Sequence, residues 1–397
     1  MATIEINMYQ TLAIATAALY LGAFLRKKIY PLEYFCIPTP VIGGLIAAAI
    51  ACILYTAGIA ELNYDDTLKD FFMIMFFTSV GFKADMKIIK RGGRDLLLLV
   101  IGIVVLIFLQ NGAALGLSRL LHIDPRLALC TGSISMMGGH GTSGAFGPIL
   151  EDFGLEGATT VAIAAATFGL IVGGLMGGPL GNSLIVRKDL LKTAKHPEKY
   201  DEARKKKKAA EKHYQHYPEA VFMLCIIVGI GTVLSMLLSK TGMAYPAYVG
   251  ALLAAAFTRN ISQVTGKIKI YMDEIENIGE ICLSLFLGIA MITLKIWQLY
   301  DLAVPMLILL GAQVIIMFLY ARFAVFNVMG KDYDAAVITA GMCGFGLGVT
   351  ANAMANMQTL CDRYVPSVKA YLLIPIVGTI FNDFFNSLII TLFINIV

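Results

Sequence analysis

Residues 130–144 read Cys130-Thr131-Gly132-Ser133-Ile134-Ser135-Met136-Met137-Gly138-Gly139-His140-Gly141-Thr142-Ser143-Gly144. Residues 341–352 read Gly341-Met342-Cys343-Gly344-Phe345-Gly346-Leu347-Gly348-Val349-Thr350-Ala351-Asn352. Each lies in a segment, 126–151 or 334–362, that is apolar enough to enter a bilayer but is interrupted by glycine and polar residues. Whether these segments cross decides the topology. Around them, ten runs approach the roughly 20 apolar residues of a membrane-spanning helix. They lie at 8–25, 41–60, 68–82, 96–117 and 159–185, then at 220–238, 247–257, 278–294, 302–320 and 370–394.

If neither broken segment crosses and the N-terminus is outside, 26 of the 31 Lys and Arg fall in inner loops. Only Lys69, Arg119, Arg126, Lys240 and Lys295 remain outside. That is a strong positive-inside bias. If each segment crossed fully, the loop at 187–219, with its RKKKK run at 204–208, would move outside and break the rule. Both segments therefore read as re-entrant, the first dipping from outside and the second from inside. Each limb, about a dozen residues, is also too short to span alone.

Five crossings per half is an odd number, so the second half must run inverted to the first. The expected fold is an all-α integral membrane protein, with ten transmembrane helices and two re-entrant hairpins in two inverted five-helix repeats. The repeats cover 1–186 and 220–397, joined by a solvated cytoplasmic linker at 187–219, with both termini outside. Self-comparison agrees. The run from Pro40 through Gly43 to Ala49 answers Pro246 through Gly250 to Ala256 at an offset near 207, and at offset 208 Ala128, Thr131, Thr142 and Ala145 pair with Ala336, Thr339, Thr350 and Ala353.

Composition narrows the class. With 58% hydrophobic and 15% charged residues, the chain takes the bilayer as its solvent. Its charges are clustered rather than spread, and nucleic acid is not an expected partner. The seven cysteines, Cys36, Cys52, Cys130, Cys225, Cys282, Cys343 and Cys361, show no metal or CxxC spacing and read as small buried hydrophobes. The first apolar run is followed by Arg26, Lys27 and Lys28 rather than a cleavage site, so it reads as a retained span.

Glycines 138, 139 and 141 allow a sharp turn and close approach to a ligand, and the limb starting at Thr142 presents free amide N–H groups suited to a carboxylate. The second hairpin offers another helix start, with carbonyls and side-chain oxygens suited to a hard cation. Asp383 is the one acid near the middle of an expected span. A charge there costs about 2.5 to 3.5 kcal/mol and needs a partner. Sodium fits, with Asn382, Asn386 and hairpin oxygens completing its shell; a helix–helix bond by a protonated Asp is the alternative. Gln110 and Asn111 read as interhelical contacts. No Lys or Arg lies at the hairpin tips. No P-loop or paired nucleophile and base appears, so uphill transport would draw on an ion gradient, at about 2.3 kcal/mol per charge per 100 mV.

Several motifs together resemble those of the bacterial sodium/glutamate symporters over nearly the full length. These are Gly138-Gly139-His140-Gly141-Thr142, the region Arg91-Gly92-Gly93-Arg94, Ala166-Thr167-Phe168-Gly169-Leu170 with Gly173-Gly174 and Gly177-Gly178-Pro179, Met329-Gly330-Lys331-Asp332-Tyr333-Asp334, Cys343 to Gly348, and Ala355-Asn356-Met357-Gln358. The resemblance implies sodium-driven uptake of L-glutamate across a bacterial inner membrane by a homodimer, with an elevator movement and no cofactor beyond sodium as coupling ion. Substrate is then expected at Gly139, His140, Gly141, Thr142, Ser143, Gly346, Gly348 and Thr350, and sodium at Ser135, Thr350, Asn352, Asn356, Asp383 and Asn386. One departure bears on substrate preference or ion stoichiometry: Thr350-Ala351-Asn352 stands where the family pattern is Thr-Pro-Thr. A cation-coupled carrier of malate or citrate is the alternative, and a channel or a membrane-embedded enzyme fits the residues less well.

Overall fold

The structure, a computed structural model, describes residues 2–34, 37–85, 93–194, 216–240, 247–266, 268–296 and 303–397. Most of the expected linker, with its basic run, lies outside the described residues, as do Cys36, Arg91 and Gly92.

All ten expected spans are helical. They are α1 (Met8–Lys28), α2 (Thr39–Thr56), α3 (Thr67–Lys83), α4 (Gly93–Leu121), and, after the first broken segment, α7 (Ala158–Arg187). The second half supplies α8 (Tyr217–Ser239), α9 (Ala247–Thr265), α10 (Met272–Ile292) and α11 (Ala303–Leu319). The last span is α14 (Val368–Ile376) continuing into α15 (Asn382–Ile396). π-helical turns follow α11 at Tyr320–Val325 and join α14 to α15 at Val377–Phe381. Eight of these helices are long and apolar enough to cross a bilayer; α3 has only 17 residues, and α9 ends in the polar stretch from Thr258 to Thr265. Local chemistry sets the ends. Asn7 caps α1 in a reciprocal box with Gln10, and Arg26, Lys27 and Lys28 complement the dipole at its other end.

The expectation of an all-helical chain misses one small sheet. Strands β1 (Ala2–Ile6) and β2 (Ala60–Tyr64) pair in parallel with Ala2 opposite Ala60. Parallel pairing needs a long crossover. Here the α1–α2 pair provides it, and Thr3, Ile4 and Ile6 supply the β-branched residues.

The broken segments are helix–turn–helix hairpins. In the first, α5 (Pro125–Leu129) starts with Asp124 accepting from the Arg126 amide at 2.8 Å, and turns lead to α6 (Gly139–Asp152). In one continuous helix Ser135 and Ser143 would lie about 12 Å apart along the axis. Their hydroxyls are 3.0 Å apart, so the chain has doubled back. In the second, α12 (Tyr333–Gly346), capped by Asp332, packs against α13 (Thr350–Arg363).

The helices sort into two bodies. Helices α1, α2, α3, α8, α9 and α10 pack on one another; α4, α7, α11, α14, α15 and both hairpins form the other, and few contacts join the two groups. Each half of the chain thus gives its first three long helices to one body and the rest to the other. The halves also share a detail. Gly22 and Gly43 let α1 and α2 cross backbone to backbone, and Gly231 and Gly250 do the same for α8 and α9. In the second body, Gly169, Gly173, Gly177 and Gly181 form a ridge along α7 where added Cβ atoms would crowd Leu347 O, Cys343 O, Asn356 and Leu360. Asn356 Nδ2 donates to Gly173 O at 2.9 Å and Asn352 Nδ2 to Leu170 O, seating α13 on the same ridge.

Candidate functional site

The two hairpin tips meet. Gly139, at φ 59°, occupies a backbone conformation that side chains disfavour, and a Cβ there would lie 3.4 Å from Val349 Cγ1 and 3.6 Å from Gly348 O. A cavity of about 410 Å3 opens at this junction, between the two bodies. The hairpin body lines it with Met137, Gly138, His140, Gly141, Phe345, Gly348, Val349, Thr350, Gly378, Thr379, Asn382 and Asp383. The other body contributes Arg26, Pro38, Thr39, Pro40, Phe76, Lys83, Glu280, Leu283, Ser284 and Leu287. Arg26 and Lys83 end α1 and α3, while Thr39 begins α2, so the cavity sits toward one end of that body. A second cavity of about 650 Å3 lies at the opposite end of the same seam, near Tyr55 at the end of α2, Asp66 and Lys69 at the start of α3, Thr293 and Lys295 beyond α10, and Glu151 to Thr160 of the hairpin body.

Of the expected substrate residues, His140, Gly141, Gly348 and Thr350 line the tip cavity and Gly139 forms the contact between tips. Thr142 and Ser143 are buried one turn further into α6, and Gly346 lies beneath the second tip, its carbonyl accepting from Gln110 Nε2 at 2.8 Å. Thr167 Oγ1 donates to Ile163 O at 3.0 Å, so it accepts from His140 Nε2, also at 3.0 Å. That assignment leaves His140 Nδ1 as a bare acceptor, with no partner among the described residues.

Of the expected sodium residues, Asp383 and Thr350 line the cavity. Ser135, Asn352, Asn356 and Asn386 stand behind the tips. The Ser135 hydroxyl is 2.7 Å from Ala162 O and also bonds Cys130 O and Ser143. Asn386 Nδ2 donates to Ser133 O at 3.0 Å and Asn382 Nδ2 to Met137 O at 2.8 Å, tying α15 to the first hairpin. The Oδ1 atoms of Asn382 and Asn386 are buried with no partner among the described residues, acceptors available to a cation. The π turn at Val377–Phe381 loosens the regular backbone ladder just before Asn382 and Asp383. Gln110 and Asn111 make the interhelical bonds expected of them, Asn111 Oδ1 accepting from the Ser133 amide at 2.9 Å. Among the described residues no cluster of His, Cys, Asp and Glu has metal-site geometry.

Sequence reading missed Arg26, Lys83, Glu280, Ser284 and Thr379. In the sequence the first two read only as topology signals at helix ends, and nothing in local spacing says that α1, α3 and α10 face the hairpin tips.

The family model described as sodium/glutamate symporter matches residues 4–366. The chain belongs to the sodium/glutamate symporter family. It is 37% identical to the sodium/glutamate symporter of Escherichia coli (strain K12) over 392 residues, 98% of each chain. With the sodium/glutamate symporter of Haemophilus influenzae (strain ATCC 51907 / DSM 11121 / KW20 / Rd) it shares 38% identity over 391 residues, covering 96% of this chain and 95% of that one. Among solved structures it is similar to the sodium proton antiporter MjNhaP1 from Methanocaldococcus jannaschii, at TM-score 0.45 and 16% identity over 98% of this chain and 96% of that one.

Proposed function

We propose that this member of the family couples inward sodium flow to glutamate uptake across a bacterial inner membrane. The observation that carries the reading is the junction of two hairpin tips at a cavity walled jointly by two separately packed bodies. Helix starts at the tips offer amides to a carboxylate, and Asp383 with Thr350 and the free oxygen of Asn382 offers hard donors to sodium. Ser135, Asn352, Asn356 and Asn386 support the tips from behind, and Asn386 keeps one oxygen for an ion. The hairpins enter from opposite faces, the repeats are inverted, and the termini are periplasmic. On that orientation the basic ends of α1 and α3 are cytoplasmic, and the tip cavity opens inward. The hairpin body then moves along the α1–α3 and α8–α10 body as an elevator, closing this cavity and opening one at the opposite end. The protein works as a homodimer.

Proteoliposomes test the reading. An imposed sodium gradient is expected to drive saturable uptake of labelled glutamate, with malate and citrate as weak competitors. Displacement of the label by malate and not by glutamate would reassign the carrier to another dicarboxylate, and non-saturating flux independent of sodium would make it a channel.

A further inference from the structure

Two cationic side chains stand in the wall of the tip cavity, Arg26 and Lys83. Lys83 Nζ is 2.8 Å from Glu276 Oε1 and is already neutralised. Arg26, half-buried in the last turn of α1, has no carboxylate partner among the described residues. The hairpins supply helix starts for one carboxylate but no fixed positive charge for a second. An amino acid with an acidic side chain brings two carboxylates and one ammonium, so its extra charge needs a cation. A guanidinium holds a carboxylate through two parallel hydrogen bonds and suits a partly desolvated site better than an ammonium does. Glu280 on the body of α1 and Asp383 on the hairpin body provide the opposite sign for the substrate's ammonium and for sodium.

Position adds a second consequence. Arg26 belongs to the body of α1, whereas the tips belong to the other body; the two meet at this end of the seam, and in the proposed elevator movement they part. We infer that Arg26 pairs with the substrate's side-chain carboxylate, and does so on one side of the membrane only. The inference rests on the proposed function, and it places the recognition of acidic over neutral amino acids partly on a residue that does not travel with the cargo.

Right-side-out and inside-out membrane vesicles separate the two faces. Arg26→Gln is expected to raise the glutamate KM by about tenfold or more on the face where the α1 C-terminus opens, and by less than about twofold on the other, as suits loss of a charge-assisted pair. On the first face the variant should also lose most of its preference for glutamate over glutamine as competitor. Arg26→Lys keeps the charge without the fork; it should show a smaller rise on the same face, and it carries the test if Arg26→Gln fails to reach the membrane. An equal rise on both faces, or an unchanged preference for glutamate over glutamine, overturns the inference. Absence of sodium-driven glutamate transport in the unaltered protein overturns the proposed function instead.

Discussion

Asp383 sits half-buried beside Thr350, Thr379 and Asn382 at the tip cavity. Its carboxylate is the strongest hard donor that the hairpin body presents there. Replacing it by Asn preserves shape and removes the charge, so the sodium concentration for half-maximal uptake should rise about tenfold or more, or coupling should fail. Proteoliposome uptake across a sodium series reads this, and an unchanged sodium dependence would remove Asp383 as an ion ligand. A smaller effect belongs to Thr167. Thr167→Val removes the acceptor that orients the His140 ring, and it should weaken glutamate binding while leaving sodium affinity near its original value, as paired titrations of both solutes would show. Asp383 could be found from sequence because a lone acid in an apolar span demands a partner. Arg26 could not, since a cation at a helix end is already explained by membrane topology.

At the level of elements, the glycine ridge of α7 fixes the second hairpin more tightly than any side-chain packing would allow. Leucine at Gly173 or Gly177 would meet the backbone of α12 or the amide of Asn356 and should cost about 1–3 kcal/mol of overpacking. Leucine at Gly112 or Gly116 of α4 meets open space and should be tolerated. Thermal unfolding in detergent compares the four variants, and a similar loss at all of them would show that the ridge has no special role. The helix breaks in the hairpins were legible, because glycines there fall among polar residues and each limb is too short to span alone. The β1–β2 pair was not. Five residues without strict alternation carry no strand signal until their partner, nearly 60 positions away, is known.

Across the whole molecule, three helices from each half pack into one body, and two helices with a hairpin from each half into the other. Which faces form the seam was not legible in the sequence. Seam contacts are long-range, and α10, with Glu280 near its middle and Lys295 just past its far end, touches both cavities. If transport requires the bodies to shift, a bifunctional thiol reagent joining Glu61→Cys to Glu156→Cys across the larger cavity, in a cysteine-depleted background, should stop net uptake while glutamate still binds from the opposite face. Continued uptake by the fully cross-linked protein would contradict the movement. That larger cavity has a pharmacological meaning as well. In the proposed movement it is the space into which one body travels, and it shares no lining residue with the tip cavity. A small molecule wedged there would therefore block the stroke without competing for the seat, lowering the maximal rate at unchanged KM, and added glutamate would not relieve it.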